Sequence, residues 1–476
     1  MEPEQRTDIP REERLVADLQ GRRISLAKAI NFGFVSMQIG PSMAIFAGYL
    51  LLTGGGGSWF SIVLAVPLIL SVTEVVRVFS QRFVATGGLM TYLVQANRRR
   101  SGLFVGSANL IGYLALSAAV ATSVTYFAQA VFYDLGLDVL SSPGAQAATF
   151  VIVGALMTVT ALTGLRIAST VAIVLGAACI PFIVWITVQA LAVAPDVHWG
   201  ALSPEFGNIA LLVAPVTLVL ANFIGFDGLA FLAAETPEPQ RNVPRILHTV
   251  AIGSLGIYLV IVVAQIPVLS AHTDAIAEGF SPLSILAAAA GLEGLGTLLN
   301  VMLCLALFAA GIATLTYGSR LFAAAATIGL LPRAVATLTP VSRTPIVAIV
   351  ILGIAAAVLP AIVALSFGMS PIEAGIYFAE GTAYMWAAPY VVAAIAAAVL
   401  VWRSRRRVLI SLAATIVCAV GYAAFLVYVL SLGWATPETA LPWISSALIL
   451  VVFLVVLIVD QRRGRAADLR VLDESV

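Results

Sequence analysis

The stretch Ala214–Ile246, APVTLVLANFIGFDGLAFLAAETPEPQRNVPRI, decides how the rest of the chain is read. It opens as an apolar helix, loosens between Asn222 and Asp227, resumes as a short helix, and ends in a proline-punctuated loop carrying Arg241 and Arg245. A carboxylate inside a hydrophobic span costs about 2.5–3.5 kcal/mol even on insertion scales, so Asp227 marks a functional position. Gly225 and Gly228 flank it and weaken the helix, and a broken helix leaves peptide groups free to hold a ligand. Such backbone is tolerated at membrane depth only where it faces protein or a water-filled cavity. The competing reading is a continuous helix with a glycine packing face and a carboxylate near one end.

Composition places that stretch in a polytopic membrane protein. Of 476 residues, 61% are hydrophobic and 10% charged, and the mean hydropathy of +1.03 excludes a soluble globular chain. Cys179, Cys304 and Cys418 lie in apolar runs without ligand spacing, so they read as small buried hydrophobes. The N-terminal segment is polar and mixed in charge, unlike a cleavable signal peptide.

Twelve apolar segments approach the roughly 20 residues that a span requires. They run near Leu26–Leu52, Trp59–Phe79, Gly102–Phe132, Ala147–Thr163, Ile167–Val193, Ile209–Ala234, Val243–Leu269, Leu295–Ile328, Pro345–Phe367, Ala374–Trp402, Val408–Leu432 and Pro442–Val459. The eighth is too long for one straight crossing and is expected to tilt or extend beyond the core. With a cytoplasmic N-terminus, all 25 Lys and Arg residues fall on the inner side or at its boundary, while the outer loops carry only acids such as Asp134, Asp196, Glu205 and Asp274. This positive-inside bias predicts a multi-pass protein of the cytoplasmic membrane with both termini cytoplasmic. The expected organisation is a cytoplasmic segment over 1–25, ten spans over 26–402, two more over 403–460 and a cytoplasmic tail over 461–476, a solvated end.

No soluble nucleotide-binding domain is visible. The run TGGGGS at Thr53–Ser58 lacks the lysine of a phosphate loop and reads as an outer turn. His198, His248 and His272 do not read as metal ligands, no cofactor is called for, and no convergent nucleophile and base mark an enzyme. The arginines, split among loops, do not suggest nucleic acid.

Span one, KAINFGFVSMQIGPSMAIFAGYLLL, concentrates Gly33, Ser36, Gln38, Gly40, Pro41 and Ser42 in its first half to middle. Proline removes a backbone donor and clashes with the preceding turn, so this span is a second candidate for a break, with a simple kink as the alternative. Interrupted segments at matching places in two halves point to an inverted-repeat transporter with its site at the midplane.

The sixth-span sequence resembles the signature of the amino acid–polyamine–organocation (APC) transporters, F-x-G-[FVY]-[DE] followed by E-x-x-x-P-x-R-[ND]-x-P. FVATGGLMTY at Phe83–Tyr92, TGLRIAS at Thr163–Ser169 and the segment Tyr317–Ala348 resemble further stretches of the family, in the same order. The resemblance implies an all-α fold of twelve transmembrane helices, LeuT-like, with a 5+5 inverted repeat and broken helices one and six. It implies substrates that are amino acids, their amines or polyamines. It places the substrate at Ile39, Gly40, Pro41 and Ser42 in the first break and at Asn222, Phe223, Ile224, Gly225, Phe226 and Asp227 in the second.

Other candidates are looser. Ser36, Gln38, Tyr113 and Ser117 are candidate substrate contacts, with Trp386 and Asn300 as further lining. Where the family commonly has G-[SAP]-G, this chain has Gly40-Pro41-Ser42, and the Ser42 side chain is expected to narrow the space for a carboxylate. Glu380 in span ten reads as a proton carrier, a partner for a cationic substrate, or a protonated structural group. Glu74 reads as a coupling acid or, preferably, as the boundary partner of Arg77 or Arg82. Thr170 stands where proton-coupled relatives often place a lysine. The expected function is secondary transport of an amino acid or related organic amine by alternating access, coupled to a proton, sodium ion or counter-substrate. An amine or polyamine permease or exchanger is the alternative, and a transport-inactive membrane sensor the reading from another class.

Overall fold

The computed structural model describes residues 25–83, 87–137, 139–140, 142–162, 174, 177–207, 210–277, 280–292, 295–338, 344–403 and 409–473. Helices dominate them. The first apolar segment is two helices, α1 (Leu26–Ser36) and α2 (Ile39–Gly54), followed by α3 (Phe60–Ser80), a short α4 (Gly88–Gln95), α5 (Arg99–Asp134), α6 (Pro143–Leu162) and α7 (Ile180–Val193). The second half begins with α8 (Ala210–Phe223) and a 3₁₀ helix, Phe226–Glu235. Then come α9 (Pro239–Leu269), the short helices α10 (Thr273–Ala277) and α11 (Pro282–Ala289), α12 (Gly296–Thr327), α13 (Ile346–Phe367), α14 (Pro371–Arg403), α15 (Leu409–Ser431) and α16 (Pro437–Asp473). Among the described residues the sole β pairing is an isolated bridge between Leu338 and Pro345.

Nine helices among the described residues are long and apolar enough to cross a membrane. The remaining apolar helices, Ile39–Gly54, Ile180–Val193 and Pro215–Ala230, are shorter and belong to the first, fifth and sixth segments of the sequence. Two of these segments are shortened by interruption. The fifth begins among residues outside the described set, as do TGLRIAS and Thr170. The eighth segment is one unbroken helix of 32 residues, about 48 Å long at 1.5 Å per residue, which exceeds a ~30 Å hydrocarbon core. The last span continues as helical backbone to Asp473 rather than ending at the membrane boundary.

α5 is the axis of the bundle: 83% of its most apolar window is buried, against 28% for α15 and 17% for α16. It packs along α12, α13 and α14. α9 lies against α1, α2 and α3, and α15 joins α3 to α14. Because lipid is as apolar as leucine, close packing between helices depends on small residues that let backbones approach. α6 and α13 meet in this way. A Cβ on Gly154 would sit 2.8 Å from both the Cβ and the backbone nitrogen of Ala357, and four residues on, Thr158 fills the space left by Gly353. On α5, Gly112 likewise makes room for the indole of Trp386 on α14.

Gly154→Ala should therefore overpack the α6–α13 contact and destabilise the protein by about 1–3 kcal/mol. A lower melting temperature in detergent would be the readout, and an unchanged melting curve would contradict the close approach.

Candidate functional site

The two interruptions have different local causes. In the first segment the ladder stops at Ser36, and Met37 and Gln38 form a turn in which Gln38 takes the left-handed conformation, φ 53° and ψ 40°. For a residue with a Cβ this costs about 1–2 kcal/mol. α2 then starts at Ile39, with Ser42 N donating to Gln38 O at 2.8 Å. The break thus precedes the four residues expected to form it, and Ile39, Gly40, Pro41 and Ser42 are the first turn of α2. Proline suits that turn, because its missing N–H has no intrahelical acceptor there in any case.

In the sixth segment α8 ends at Phe223 and the chain turns through Ile224 and Gly225, whose φ of 80° favours glycine. The backbone resumes as a 3₁₀ helix at Phe226. Gly228 is required by contact, since a Cβ there would collide with the Tyr113 hydroxyl.

Side chains from other helices satisfy the groups these breaks release. The Tyr258 hydroxyl of α9 donates to Met37 O at 2.6 Å. Two turns along the same face, Gln265 Nε2 donates to Met43 O at 2.9 Å and to Thr187 Oγ1 of α7 at 3.1 Å. The two breaks are joined directly by Ser42 Oγ, which donates to Asn222 Oδ1 at 3.0 Å. Ser42 is thus held by the opposite break. Tyr258, Gln265 and Thr187 were not singled out from the sequence. The available signal was the spacing of Tyr258 and Gln265, seven residues apart in the otherwise apolar second half of the helix, 255–269.

Beside this junction lies a cavity of about 120 Å³. Gln38, Ser42, Ile45, Phe46 and Tyr49 line it along about 16 Å of α2, from its first turn outwards. α5 contributes Leu116, Ala119, Val120, Ser123, Tyr126 and Phe127, spaced three or four residues apart on one face. Leu218, Ala221, Asn222 and Ile224 come from α8 and its turn, Thr314 and Tyr317 from α12, and Ile372, Gly375, Ile376, Ala379 and Thr382 from α14. Every described side chain in this lining is uncharged. A second cavity of about 290 Å³ lies on the other side of the first break, bounded by Asn31, Phe34, Gln38, Ile39, Gly40 and Pro41 with Ile180, Ile257 and Ala306.

Of the expected contacts, Gln38, Ser42, Asn222 and Ile224 meet in the first cavity, and Ile39, Gly40 and Pro41 face the second. Tyr113, Ser117, Phe223 and Phe226 do not line either cavity. Tyr113 is fully buried, edge-on to Tyr317 and Trp386 at 5.9 and 5.1 Å between ring centroids. Ser117 donates back to Tyr113 O within its own helix. Phe223 and Phe226 are buried in mutual contact, and Phe223 also packs on Tyr258. Ser36 ends α1, and its side chain is outside the described set. Asn300, near the N-terminal end of α12, bonds Ser284 at 3.5 Å.

The carboxylates also stand outside the cavity lining. Asp227 is 2% exposed and accepts hydrogen bonds from Trp386 Nε1 at 3.1 Å and Tyr390 Oη at 2.8 Å, both on α14. A buried acid at this depth needs such donors, and here they tie the 3₁₀ helix to α14. Glu74 makes a two-pronged ion pair with Arg77 at 2.7 and 2.5 Å, and Arg77 continues to Ser411 Oγ at 2.8 Å. It is the boundary pair preferred from the sequence. Glu380 lies on α14 next to Ala379 but outside the lining, one turn before Tyr384, which stacks on Phe425 of α15. Among the described residues no group of three or more His, Cys, Asp and Glu side chains could hold a metal ion.

A helical membrane protein with two interrupted helices crossing beside an internal uncharged cavity has the makings of a membrane transporter. The sequence model of the amino acid permease family matches residues 24–458. The chain belongs to that family and is a transporter of amino acids. It is similar to the branched-chain amino acid permease BcaP of Bacillus subtilis (strain 168), with 23% identity over 347 residues that cover 69% of this chain and 72% of that protein.

Asp227→Ala should lower the melting temperature by leaving two buried donors without their acceptor, at about 1–3 kcal/mol each. Combined with Tyr390→Phe, the loss should fall short of the sum of the single losses by about 0.5–3 kcal/mol. Strict additivity would place the stabilising contact elsewhere.

Proposed function

We propose that this protein moves a neutral amino acid with an apolar side chain across the cytoplasmic membrane by alternating access. The observation that carries this reading is the cavity lining: mostly apolar walls from five parts of the bundle, amides at the two breaks with hydroxyls elsewhere, and no charged side chain among the described lining residues. A zwitterion carries its own opposite charges and is suited by half-helix ends, which present N–H groups on one side and carbonyls on the other. Apolar walls then suit an aliphatic side chain. The similarity to a branched-chain amino acid permease supports the same substrate class.

In this reading the chain has twelve spans, arranged as a LeuT-like 5+5 inverted repeat over 26–402 with peripheral spans over 403–460, and both termini are cytoplasmic. Support comes from the two interruptions, which fall in the first helix of each half and face each other across the Ser42–Asn222 bond. Gln38, Ser42, Asn222 and Ile224 are the proposed substrate contacts, and Asp227 acts behind them as a positioning residue. A polyamine or amine substrate is disfavoured because a cation needs a counter-charge in the site. Asp227 is held by Trp386 and Tyr390, and Glu74 by Arg77. A coupled proton, sodium ion or counter-substrate would supply the driving force.

L-Leucine, L-isoleucine and L-valine should each raise the melting temperature of the purified protein. The stabilisation should reach about 2.7 kcal/mol at a hundred times the Kd, while putrescine and L-lysine should leave it unchanged. Stabilisation by putrescine or lysine but not by leucine would sink the neutral-substrate reading. Leucine binding without uptake or exchange in proteoliposomes would favour a sensor.

A further inference from the structure

His248 is half-buried on α9, whereas His198 and His272 are exposed. Its Nδ1 lies 2.9 Å from Pro244 O, which can only accept, so Nδ1 carries a hydrogen and donates it. Nε2 is left 3.0 Å from Thr73 Oγ1 of α3. Thr73 is fully buried, and its single hydroxyl hydrogen has a second acceptor in Leu70 O at 2.7 Å. With a neutral ring, one hydrogen therefore faces two acceptors, Nε2 and Leu70 O. With a proton on Nε2, the ring donates to Thr73 Oγ1 and the hydroxyl donates to Leu70 O. Every group in the chain from Pro244 to Leu70 is then matched, which matters at a buried position where an unmatched polar atom is costly.

We propose that His248 is a proton-binding site whose charged ring ties α9 to α3 and holds the first break in the form that receives substrate. The proton comes from water and takes the Nε2 lone pair, and no other bond forms or breaks. Glu74, next to Thr73 on α3, interacts electrostatically with His248 while paired with Arg77. α9 packs along α1, α2, α3, α7 and the 3₁₀ helix. α2 and α7 carry no charged side chain. Lys28 of α1 and Arg241 and Arg245 of α9 are exposed, and Asp227 of the 3₁₀ helix is held by Trp386 and Tyr390. Glu235 ends that 3₁₀ helix, with its side chain outside the described set. From His248 to Tyr258, α9 runs about 15 Å without a proline. A contact that fixes α9 against α3 therefore also positions the Tyr258 hydroxyl on Met37 O in the first break. The effect on substrate rests on the neutral amino acid reading given above; the effect on stability does not.

The test is equilibrium binding of radiolabelled L-leucine to the purified full-length protein over about pH 5–8, the range in which histidine changes charge. Ligand-free melting temperatures are recorded alongside. The wild type should bind leucine about five-fold or more tighter at the acid end, the lower range of a coupling between two sites. His248→Leu removes both ring nitrogens and should keep the weaker, alkaline affinity at every pH. His248→Gln carries an N–H that does not titrate and should bind leucine with one affinity across the range. Thr73→Val keeps the histidine and the side-chain shape but removes the hydroxyl, and should cut the pH effect to about two-fold or less. Because the charged ring gains partners in the fold, its stabilisation is present on the acid side and lost as pH rises. The melting temperature lost in His248→Leu should accordingly be larger at about pH 5 than at about pH 8. A level wild-type profile would overturn the proposal, as would a pH effect that survives unchanged in His248→Leu or Thr73→Val. If His248→Leu does not fold, Thr73→Val and His248→Gln carry the comparison. A wild type that binds leucine at no pH would mark failure of the substrate reading alone. The melting comparison then decides the site, and a loss independent of pH would overturn it.

Discussion

The hydrogen bond from the Tyr258 hydroxyl to Met37 O answers a constraint that governs the centre of the protein. Inside a membrane, every peptide group released from a helix must find a partner in the protein, in a ligand or in trapped water. The first segment releases such groups between Ser36 and Ser42, and α9 takes up one of them through Tyr258, while Gln265 reaches Met43 O in the second turn of α2. This explains why an apolar helix of 31 residues carries two polar side chains seven residues apart. It also limits which groups remain for a substrate, since Met37 O already has a donor. The Ser42–Asn222 bond extends the arrangement to the second break, so the two interruptions form one junction.

Charge is arranged around this junction by exclusion. Asp227 lies in the second break itself, yet its carboxylate turns to Trp386 and Tyr390 on α14. Glu74 closes on Arg77 near the C-terminal end of α3, and Arg77 reaches α15 through Ser411. Asp227 thereby ties its 3₁₀ helix to α14, and Glu74 holds the Arg77 side chain that reaches α15. The cavity is left with amides, hydroxyls and hydrocarbon, a lining that suits a molecule whose charges cancel. Close helix contacts keep the wall in place: Gly112 admits the Trp386 indole, and Gly228 admits the Tyr113 hydroxyl.

Much of this was legible beforehand, and the pattern of what was not is instructive. Segment positions agreed with the observed helices within a few residues over most of the described chain, the last helix running on to Asp473 being the exception, because a span needs a run of apolar side chains whatever its neighbours are. Both interruptions were anticipated from Gly, Pro and polar residues, yet the first falls at Met37–Gln38 rather than at Ile39–Ser42. Pro41 attracts attention as a helix breaker, but proline is equally at home in a first turn, and which role it plays depends on whether the preceding residue can leave the helix. Ser42 was expected to crowd a carboxylate, and its hydroxyl instead donates across to Asn222.

The sequence alone determined the membrane class, the placement of the apolar segments, the two interruptions and the family resemblance, because each depends on residues close together in the chain. The tertiary structure decided which way the side chains point. Asp227 meets Trp386 across 159 residues, and Tyr258 meets Met37 across 221. The rotation of a helix about its axis, set by packing against its neighbours, determines whether a residue faces a cavity, another helix or lipid. That rotation leaves only a weak trace in an almost uniformly apolar segment. For this reason Asp227 stood out in the sequence yet lies behind the wall, while Gln38, one polar residue among several, stands between the two cavities.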